Sequence, residues 1–467
     1  MKKLKWAIIK FYRRIKLKFN WNLFYPVKNK IYSFLKDHMQ WWPIEFIKNG
    51  RGLNYSKKKR VAYYVWEYPA LSQTFLQREI HALHKSLGEI IIFCDETSNN
   101  FLEENLNIKP IRLLPVDREK LRKSKRYFFI RKPLKYTNLF LYTLFHNYHP
   151  LKSHLFDKRT FENAVYLAWL AKQWEINHIH TPWADRTSFV ALIASKLLGV
   201  SYSLQARAHD IHRKNYLYGL REKFENANFA ITNTMYNYEY LKSNIVPSVN
   251  GKLNLIYNGI NLERFNPGLK KEKSEIIKLL CVARIIEQKG ITVLLESCKE
   301  LKEKGYNFVC NIIGGFEDIY MDYYLKVKKL YTQLNLENNV FFLESLPFNE
   351  VLGYFRDSDI FVLPCIVAED GSRDITPNAL IEAMAMKLPV ISTEITGIPE
   401  IVDNEVNGIL IPPNDIKALT ASIERLINQP ELRKKFAEKA REKVEQRFDI
   451  NKNINSYVNL FKCDLEN

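Results

Sequence analysis

The stretch DITPNALIEAMAMKLPVISTEITGIPE, residues 374–400, places two acids and a proline around the start of a helix. Pro377 suits a first helical turn, since its missing N–H costs nothing there and its fixed φ is already helical. The pattern therefore predicts a helix that begins at Pro377 or Asn378. Asp374 then lies in the preceding loop. Glu382 lies about a turn and a half into the helix, where it can face the same cleft.

The start of this helix is predicted to bind an anion. Exposed N–H groups around residues 378–380 point at whatever fills the cleft, and such a helix end attracts a diphosphate. A nucleotide sugar offers sugar hydroxyls to one carboxylate, phosphates to the helix end and ribose hydroxyls to the other carboxylate. An acid, a proline and an amphipathic helix are equally compatible with ordinary α/β architecture, so the spacing alone leaves both interpretations open.

The positive charge of the chain is concentrated at its start. The 467 residues carry a net charge of +19, and 46% of them are hydrophobic, which predicts a globular protein of two or three domains. Residues 1–60 contain 17 Lys and Arg against Asp37 and Glu45, so they supply 15 of the 19 charges and leave +4 for the other 407 residues. This near balance argues against nucleic acid as a partner of the globular part.

Residues 1–24 have the pattern of an amphipathic helix with a basic face. Its apolar residues recur at steps of three and four, namely Leu4, Ile8, Phe11, Ile15 and Phe19. This predicts attachment to an anionic membrane surface, where each basic side chain contributes about 1 kcal/mol. The alternative is that the apolar stripe packs on the protein's own body, and nucleic-acid binding ranks third.

The predicted localisation follows from the charged residues that interrupt the apolar runs. Lys and Arg break every apolar stretch before it reaches the roughly 18 residues of a spanning helix or forms the core of a secretory signal. The sequence thus predicts a cytoplasmic protein, peripheral on the inner face of the cell membrane. The six cysteines are scattered and form no CxxC pair, which favours reduced thiols over disulfides or zinc.

Strand and helix patterns alternate along most of the chain, which predicts an α/β fold with parallel sheets covered by helices. The stretch NPGLKKEKSE at 266–275 interrupts the alternation and is the predicted linker. We therefore predict Rossmann-like, doubly wound domains at 61–265 and 276–445, with a ligand cleft between them at the carboxyl ends of their strands. Residues 1–60 form the basic extension, and 446–467 form a helix that returns to the first domain.

Several segments, in this order along the chain, resemble one enzyme family. They are YPALSQTFLQREI (68–80), HIHTPWA (178–184), ARAHDIH (206–212), NGINLERFNP (258–267) and the stretch 374–400. Over roughly residues 60–450 the chain resembles the retaining, nucleotide-sugar-dependent glycosyltransferase family 4, and within it the branch that builds bacterial exopolysaccharides and lipopolysaccharides. The resemblance implies the GT-B fold, in which two Rossmann-like domains face each other across a cleft.

The resemblance implies roles for two pairs of charged residues. Arg284 and Lys289, in VARIIEQKG, match the family's basic pair that grips the donor diphosphate, where two cations can neutralise charge on the leaving nucleotide. Without the resemblance they would be a solvated Arg and Lys at a helix start. Glu382 matches the carboxylate that holds the donor ribose, and Asp374 matches the one that contacts sugar hydroxyls. The family usually has Glu at the position of Asp374, although this branch often has Asp.

The resemblance also assigns the remaining donor-binding positions. Gly314 and Gly315 correspond to the donor-base pocket, although two glycines after a strand also fit a tight turn. Backbone groups that would hold the sugar and phosphates belong to Ile375, Thr376, Asn378, Ala379 and Leu380.

Acceptor-side roles are implied less directly. His209 matches a family histidine near the anomeric carbon, with a structural histidine oriented by Asp210 as the alternative. Three residues at a predicted helix start, where the family often binds a phosphate, are Ser72, Thr74 and Phe75. His178 and His180 share one face of a strand and are interpreted as core or acceptor-side residues.

The predicted activity needs no cofactor and no metal. Asp357-Ser358-Asp359 has the DxD form of a manganese site, but it precedes a strand and is interpreted as a solvated turn. The predicted function is retaining transfer of a sugar from a UDP- or GDP-sugar to a glycan, expected to be lipid-linked, in cell-surface polysaccharide synthesis. The alternatives are a non-catalytic subunit that binds nucleotide sugar or glycan and, third, a phosphorylase or dinucleotide-dependent enzyme. For the latter the chain lacks a GxGxxG between a strand and a helix.

Overall fold

The computed structural model describes residues 60–70, 73–97, 109–145, 154–212, 219–245, 251–268 and 275–466. The predicted amphipathic helix of residues 1–24, almost all of the basic extension, Ser72 and most of the predicted linker lie outside the described residues.

The first domain is built on a parallel sheet whose strands run in the order β3-β2-β1-β4-β5-β6-β7. These strands are β1 (Val61–Glu67), β2 (Ile90–Glu96), β3 (Ile111–Arg112), β4 (His178–Thr181), β5 (Ser201–Ala206), β6 (Phe229–Thr232) and β7 (Leu253–Leu255). Val61 lies opposite Ile90 of β2 and His178 of β4, so the central strand is paired on both sides.

Helices cover both faces of this sheet. They are α1 (Thr74–Leu87), α2 (Arg118–Arg131), α3 (Pro133–Phe145), α4 (His154–Gln173), α5 (Arg186–Leu198), α6 (His209–His212), α7 (Leu220–Glu225) and α8 (Met235–Tyr240). Alternate residues of β1 face opposite sides, as the pleat requires. Ala62 and Tyr64 pack in the core under α4 and α5, whereas Val61, Tyr63 and Val65 pack under α1.

The second domain repeats this plan with the strand order β10-β9-β8-β11-β12-β13, all parallel. Its strands are β8 (Ile277–Val282), β9 (Phe308–Ile313), β10 (Val340–Phe342), β11 (Ile360–Leu363), β12 (Val390–Thr393) and β13 (Gly408–Ile411). Its helices are α9 (Ile291–Glu303), α10 (Met321–Gln333), α11 (Phe348–Asp357), α12 (Asn378–Ala385), α13 (Ile398–Ile401), α14 (Ile416–Asn428) and α15 (Pro430–Arg447). The predicted α/β class with two parallel sheets is confirmed.

The last helix, α16 (Ile450–Glu466), packs on α1 in the first domain and adds Ile454, Tyr457 and Phe461 to the core there. To reach it, the chain crosses the segment that leaves the first domain. Ile260 N–H donates to Phe448 O at 2.8 Å, and Ile450 N–H donates to Ile260 O at 3.0 Å. The crossing is so close that a Cβ on Gly259 would lie 2.5 Å from Ile450 Cα.

No helix within the described ranges is long and apolar enough to cross a membrane. The six cysteines are free thiols, of which Cys463 is exposed and the other five are buried.

Candidate active site

The two sheets meet at their carboxyl ends, since the residues that connect the domains directly follow strand ends. Asn233, after β6, donates a side-chain hydrogen bond to Thr376 Oγ1 at 3.1 Å. Asn258, after β7, donates to Asn378 Oδ1 at 3.1 Å. The stretch of residues 374–400 therefore lies at the domain junction, where parallel α/β sheets bind their ligands.

Lys289 and Asp374 form an ion pair in this junction. Lys289 ends a short 3₁₀ turn between β8 and α9, and Gly290 follows it with φ +66°, where a Cβ would lie 1.9 Å from Pro364 O. Burial is the largest single influence on the pKa of Lys289 and lowers it, but the charge and hydrogen bond of Asp374 together with Cys365 raise it, and the net shift is upward. The ammonium group is thus held charged beside a carboxylate, 85 residues away in sequence.

Arg284 lies at the outer side of this pair. Its Nη1 is 2.7 Å from Glu317 Oε1, and both side chains are about half exposed. Its charge is close enough to oppose protonation of Lys289. The two cations that sequence similarity assigned to a diphosphate therefore belong to one electrostatic cluster with Asp374.

Gly314 and Gly315 lie beside Arg284. Gly314 has φ +143°, and a Cβ there would lie 2.0 Å from Ala283 O, while a Cβ on Gly315 would lie 2.8 Å from Ser345 Oγ. Close packing against the protein's own backbone thus accounts for Gly314, and close packing against the Ser345 side chain accounts for Gly315. A role for them in a donor-base pocket stays a prediction.

Helix α12 begins at Asn378, as the sequence predicts, and Pro377 caps it with φ −66° and ψ 101°. Leu380 N–H donates to Pro377 O at 3.0 Å. Ile375 is buried, whereas Asn378 and Ala379 are half-buried at the junction. The first N–H groups of a helix have no partner within it, so this end can accept an anion.

Glu382 lies farther along α12 and is bound from the other domain. Its Oε1 accepts a hydrogen bond from Arg78 Nη2 at 2.9 Å, and the side chains of Arg78 and Glu382 are 2% and 13% exposed. Arg78 also stacks over the ring of Phe265, with its Cζ 5.1 Å from the ring centroid. The carboxylate that was expected to bind only ribose is therefore also a contact between domains.

A second, buried network begins at the next residue of α1. Glu79 Oε2 accepts from Arg207 Nη2 at 2.6 Å, and Arg207 Nη1 donates to Asn258 Oδ1 at 2.6 Å. Glu79 Oε1 accepts from Tyr63 and Gln205 at 2.9 and 2.6 Å. Because Asn258 in turn contacts Asn378, this network connects the core of the first domain to the start of α12.

The junction has a further contact outside the predicted site. Glu400 Oε2 and Oε1 accept from the backbone N–H groups of Met235 and Tyr236, at 2.7 and 2.9 Å, at the start of α8. Glu400 also accepts from Tyr257 OH at 2.8 Å. Burial and this carboxylate raise the pKa of Tyr257 to about 12.

His209 opens helix α6 at the end of the loop that follows β5. The neighbouring Asp210 is fully buried and accepts hydrogen bonds from the backbone N–H groups of Ala184, Arg207 and Ala208. Asp210 therefore fixes the loop that carries His209. The predicted role of His209 stays a prediction.

His180 lies in the core, which corrects its placement among the acceptor-side residues. It is 0% exposed, and its Nδ1 and Nε2 lie 2.6 Å from Ser203 Oγ and 3.1 Å from Gln205 Nε2. Burial, followed by His178 and Arg207, holds the pKa of His180 well below its usual value. Its strand alternates as expected, but the face it shares with His178 is covered by α16.

Two of the other acceptor-side residues are described, and Ser72 is not. Thr74 begins α1, and both Thr74 and Phe75 are half-buried. The Phe75 ring contacts Trp183, with centroids 5.9 Å apart, and Arg207 Cζ lies 4.5 Å from the Phe75 centroid. Phe75 therefore covers the buried Glu79–Arg207 network.

The DxD tripeptide lies far from this junction. Asp359 Oδ2 accepts from Lys278 N–H at 2.9 Å, at the amino ends of β11 and β8, whereas the junction is at the carboxyl ends. Within the described residues, no group of three or more His, Cys, Asp or Glu is arranged to hold a metal ion.

Sequence reasoning missed Arg78, Asn258 and Glu400. Arg78 and Asn258 lie inside two of the segments that carry the family resemblance, and Glu400 ends the opening stretch. Their position in these segments was the sequence signal that could have identified them. Their partners are 304, 120 and 165 residues away, so no local pattern pairs them.

Comparisons with known proteins match the part of the chain that contains these residues. The family model described as Glycosyl transferases group 1 matches residues 263–443, which include Arg284, Lys289, Asp374 and Glu382. The chain is 39% identical over 175 residues to the amylovoran biosynthesis glycosyltransferase AmsK of Erwinia amylovora, a match that covers 38% of this chain and 42% of AmsK. It is 30% identical over 271 residues to the capsular polysaccharide biosynthesis glycosyltransferase CapM of Staphylococcus aureus, covering 54% of this chain and 67% of CapM.

A solved structure shares the fold over most of the chain. It is Anabaena HepE in complex with UDP and glucose, with a TM-score of 0.65 and 16% identity, covering 86% of this chain and 99% of HepE.

Proposed function

The chain belongs to the group 1 glycosyltransferases, and from this we propose that it transfers a sugar from a nucleoside diphosphate sugar to a hydroxyl group of a cell-surface glycan. The observation that carries the proposal is the Lys289–Asp374 ion pair beside the start of α12. In the proposed complex the cation is the counterion of the diphosphate, and the carboxylate accepts hydrogen bonds from sugar hydroxyls. The helix start donates N–H groups to the phosphates.

The donor diphosphate takes the place of Asp374 as the partner of Lys289. Arg284 adds a second cation, and its exposed Glu317 pair is weak enough to exchange for phosphate. Asp374, released from Lys289, is then available to accept hydrogen bonds from sugar hydroxyls. Backbone groups of residues 375–380 hold the phosphates and sugar.

Glu382 binds the ribose of the nucleotide. A carboxylate is an acceptor only, so it pairs with the two hydroxyl groups that a ribose offers. Its contact with Arg78 orients it toward the junction. UDP and GDP are the donors we favour, and no divalent ion takes part in the proposed reaction.

The reaction breaks the bond between the anomeric carbon and the diphosphate oxygen and forms a bond to the acceptor oxygen on the same face, with retention. The leaving diphosphate takes the acceptor proton. Lys289, Arg284 and the start of α12 stabilise the charge that develops on the leaving group, which is the largest contribution expected in such a displacement. His209 lies near the anomeric carbon and positions donor or acceptor.

The acceptor we propose is a glycan, expected to be lipid-linked. AmsK and CapM are named for the biosynthesis of amylovoran and of capsular polysaccharide, which supports an acceptor of this class. The matched region covers less than half of AmsK, so the activity of the whole protein is part of the proposal. We further propose that the protein acts on the cytoplasmic side of the cell membrane, with residues 1–24 on the anionic lipid surface.

A donor screen tests this function. UDP-, GDP- and ADP-sugars are added to the full chain and thermal unfolding is followed. A true donor at 100 times its Kd stabilises the folded state by about 2.7 kcal/mol. Glu382→Ala should lose most of that stabilisation, while Glu350→Ala, an exposed acid at the start of α11, should keep it.

Turnover separates an enzyme from a binding subunit. Sugar transfer to a glycan primer, or slow hydrolysis of the stabilising donor, supports the proposal. Stabilisation without either reaction would favour the non-catalytic subunit instead. If no nucleotide sugar stabilises the protein, or if Glu382→Ala and Glu350→Ala respond alike, the proposed donor site is wrong.

A further inference from the structure

Helices α2 and α3 form a hairpin that exposes large apolar side chains. Phe129, Ile130 and Leu134, around the turn between the two helices, are 47%, 62% and 75% exposed. The inner side of the hairpin is well packed, since Leu121, Phe128 and Leu139 are buried against α4 and α5. The outward apolar residues are therefore not needed for the core of the domain, and exposed apolar residues grouped around one turn point to an interaction surface.

The hairpin is also strongly basic. Residues 118–145 contain nine Lys and Arg against Glu119, a net charge of +8, while residues 61–467 as a whole carry +4. The other residues of 61–467 thus carry a net charge of −4. The nine cations are Arg118, Lys120, Arg122, Lys123, Lys125, Arg126, Arg131, Lys132 and Lys135.

The turn of the hairpin lies at the edge of the first sheet where the strands begin. Lys132 Nζ donates to Leu197 O and Leu198 O, at 3.0 and 2.9 Å, at the end of α5 just before β5. At the same edge Arg60 Nη1 donates to Trp174 O at 3.1 Å, and the Trp174 side chain is 39% exposed. Arg60, which connects the basic segment of residues 1–59 to β1, therefore lies at this edge.

We propose that the α2–α3 hairpin docks on an anionic lipid bilayer, as a second membrane contact beside residues 1–24. Phosphate headgroups pair with the exposed cations of the hairpin, such as Arg122, Arg126 and Arg131. Phe129, Ile130 and Leu134 enter the boundary between the headgroups and the acyl chains. Nucleic acid would satisfy the charge but offers no apolar phase. Packing of residues 1–59 on the hairpin is unfavourable, because both carry a strongly positive net charge.

Docking at this edge leaves the domain junction accessible. The Lys289–Asp374 pair and the start of α12 lie at the carboxyl ends of the strands, whereas the hairpin turn lies at the amino ends of the first sheet. The hairpin surface is therefore proposed to attach the protein to the membrane and takes no part in sugar transfer, so it can be tested without measuring turnover.

The test measures sedimentation of the full chain with vesicles of phosphatidylglycerol and phosphatidylcholine. In the Ile130→Glu/Leu134→Glu variant, two exposed apolar residues become anionic. We expect its partition coefficient to fall at least about tenfold, because one of two linked contacts is lost. The matched control is Ile319→Glu/Leu325→Glu, which makes the same change at side chains 78% and 56% exposed in the second domain. The control should bind like the natural protein.

A second variant tests the charge contribution without altering apolar groups. Arg122→Gln/Arg126→Gln/Arg131→Gln replaces three exposed cations and should weaken binding to anionic vesicles while binding to neutral vesicles stays low. Unchanged vesicle binding by both hairpin variants would overturn the proposal and leave residues 1–24 as the membrane contact. Equal losses in the hairpin variant and the matched control, or binding to RNA with no binding to vesicles, would overturn it as well.

Discussion

Arg78 in the first domain lies 2.9 Å from Glu382 in the second, so the carboxylate that we assign to the donor ribose is also a bond between the domains. The two side chains are 2% and 13% exposed, and little water competes for the pair. Any movement of Glu382 toward a ribose therefore changes a contact between domains. In the proposed site, donor binding and the relative position of the domains are therefore linked through this one carboxylate.

A double-mutant cycle measures this link. Arg78→Met leaves the carboxylate of Glu382 without its guanidinium and should destabilise the protein by about 3 kcal/mol, as expected when one partner of a buried pair is removed. Adding Glu382→Gln removes the charge that Arg78 balanced, so the double variant should be more stable than the sum of the single effects by at least about 1 kcal/mol. Urea unfolding of the four proteins gives the coupling energy. Additive effects would show that the pair is not energetically coupled.

Lys289 should be essential for turnover. Lys289→Met removes a preorganised cation from the leaving diphosphate, and we expect kcat to fall by about 10² to 10³. Lys299→Met serves as the control, since Lys299 lies on α9 in a surface pair with Glu303, 2.9 Å away. Steady-state rates with the donor found by the thermal screen provide the measurement. Equal rates in the two variants would remove Lys289 from the reaction.

Gly259 should tolerate no side chain. A Cβ there would lie 2.5 Å from Ile450 Cα, where the two chain segments cross, so Gly259→Ala should destabilise the protein and displace α16 from the first domain. Gly353→Ala is the matched control, because that glycine lies within α11 with nothing inside 4 Å of a Cβ. The control should gain about 0.5–1 kcal/mol from helix propensity. Thermal midpoints that move in the same direction would contradict this account.

Lys387 occupies a backbone position that favours glycine. It follows α12 with φ +57°, and Leu388 N–H donates back to Ala383 O at 3.0 Å, as at a left-handed helix end. Lys387→Gly should therefore raise the free energy of unfolding by about 0.5–1 kcal/mol, since the left-handed conformation costs a residue with a Cβ. Lys387→Ala is the control and should show no such gain. Urea unfolding distinguishes strain from loss of the lysine side chain.

His180 should make the protein less stable in mild acid. Its pKa is held well below 6.5 by burial, so the unfolded chain binds a proton that the folded chain refuses. The contribution of the neutral His180 ring to the free energy of unfolding is complete above pH 6.5. It is lost as the pH falls from 6.5 toward the lowered pKa of the folded state, by up to about 1.4 kcal/mol per pH unit. The pKa values of His81 and His212 are also lowered, so these residues contribute to the same pH dependence of the free energy of unfolding.

His180→Gln should flatten that pH dependence in part, as measured by urea unfolding between pH 5 and pH 8. The ring of His180 should also stay neutral over this range by NMR. A ring that titrates near pH 6.5 in the folded protein would contradict its placement in the core.

Local sequence predicted most of the fold because each strand and helix carries its own signal. Residues 360–363 (IFVL) and 90–94 (IIIFC) are continuous apolar runs, and Pro377 marks the start of α12. Lys289, Asp374 and Glu382 were predicted as site residues since they belong to segments that resemble a family. His180 was placed on the right strand, but alternation on a strand does not reveal that α16 covers that face.

The sequence by itself determined two alternating α/β halves, the helix start at Asn378 and the charged residues of the candidate site. These follow from steric limits, periodicity and residue type, which act over a few neighbours in the chain. Only the tertiary structure decided that Glu382 bonds to Arg78 and that Asn258 reaches Asn378. It also decided that the turn of a basic hairpin lies opposite the site. Such contacts depend on how two sheets meet through residues more than a hundred positions apart, and no local pattern encodes that distance.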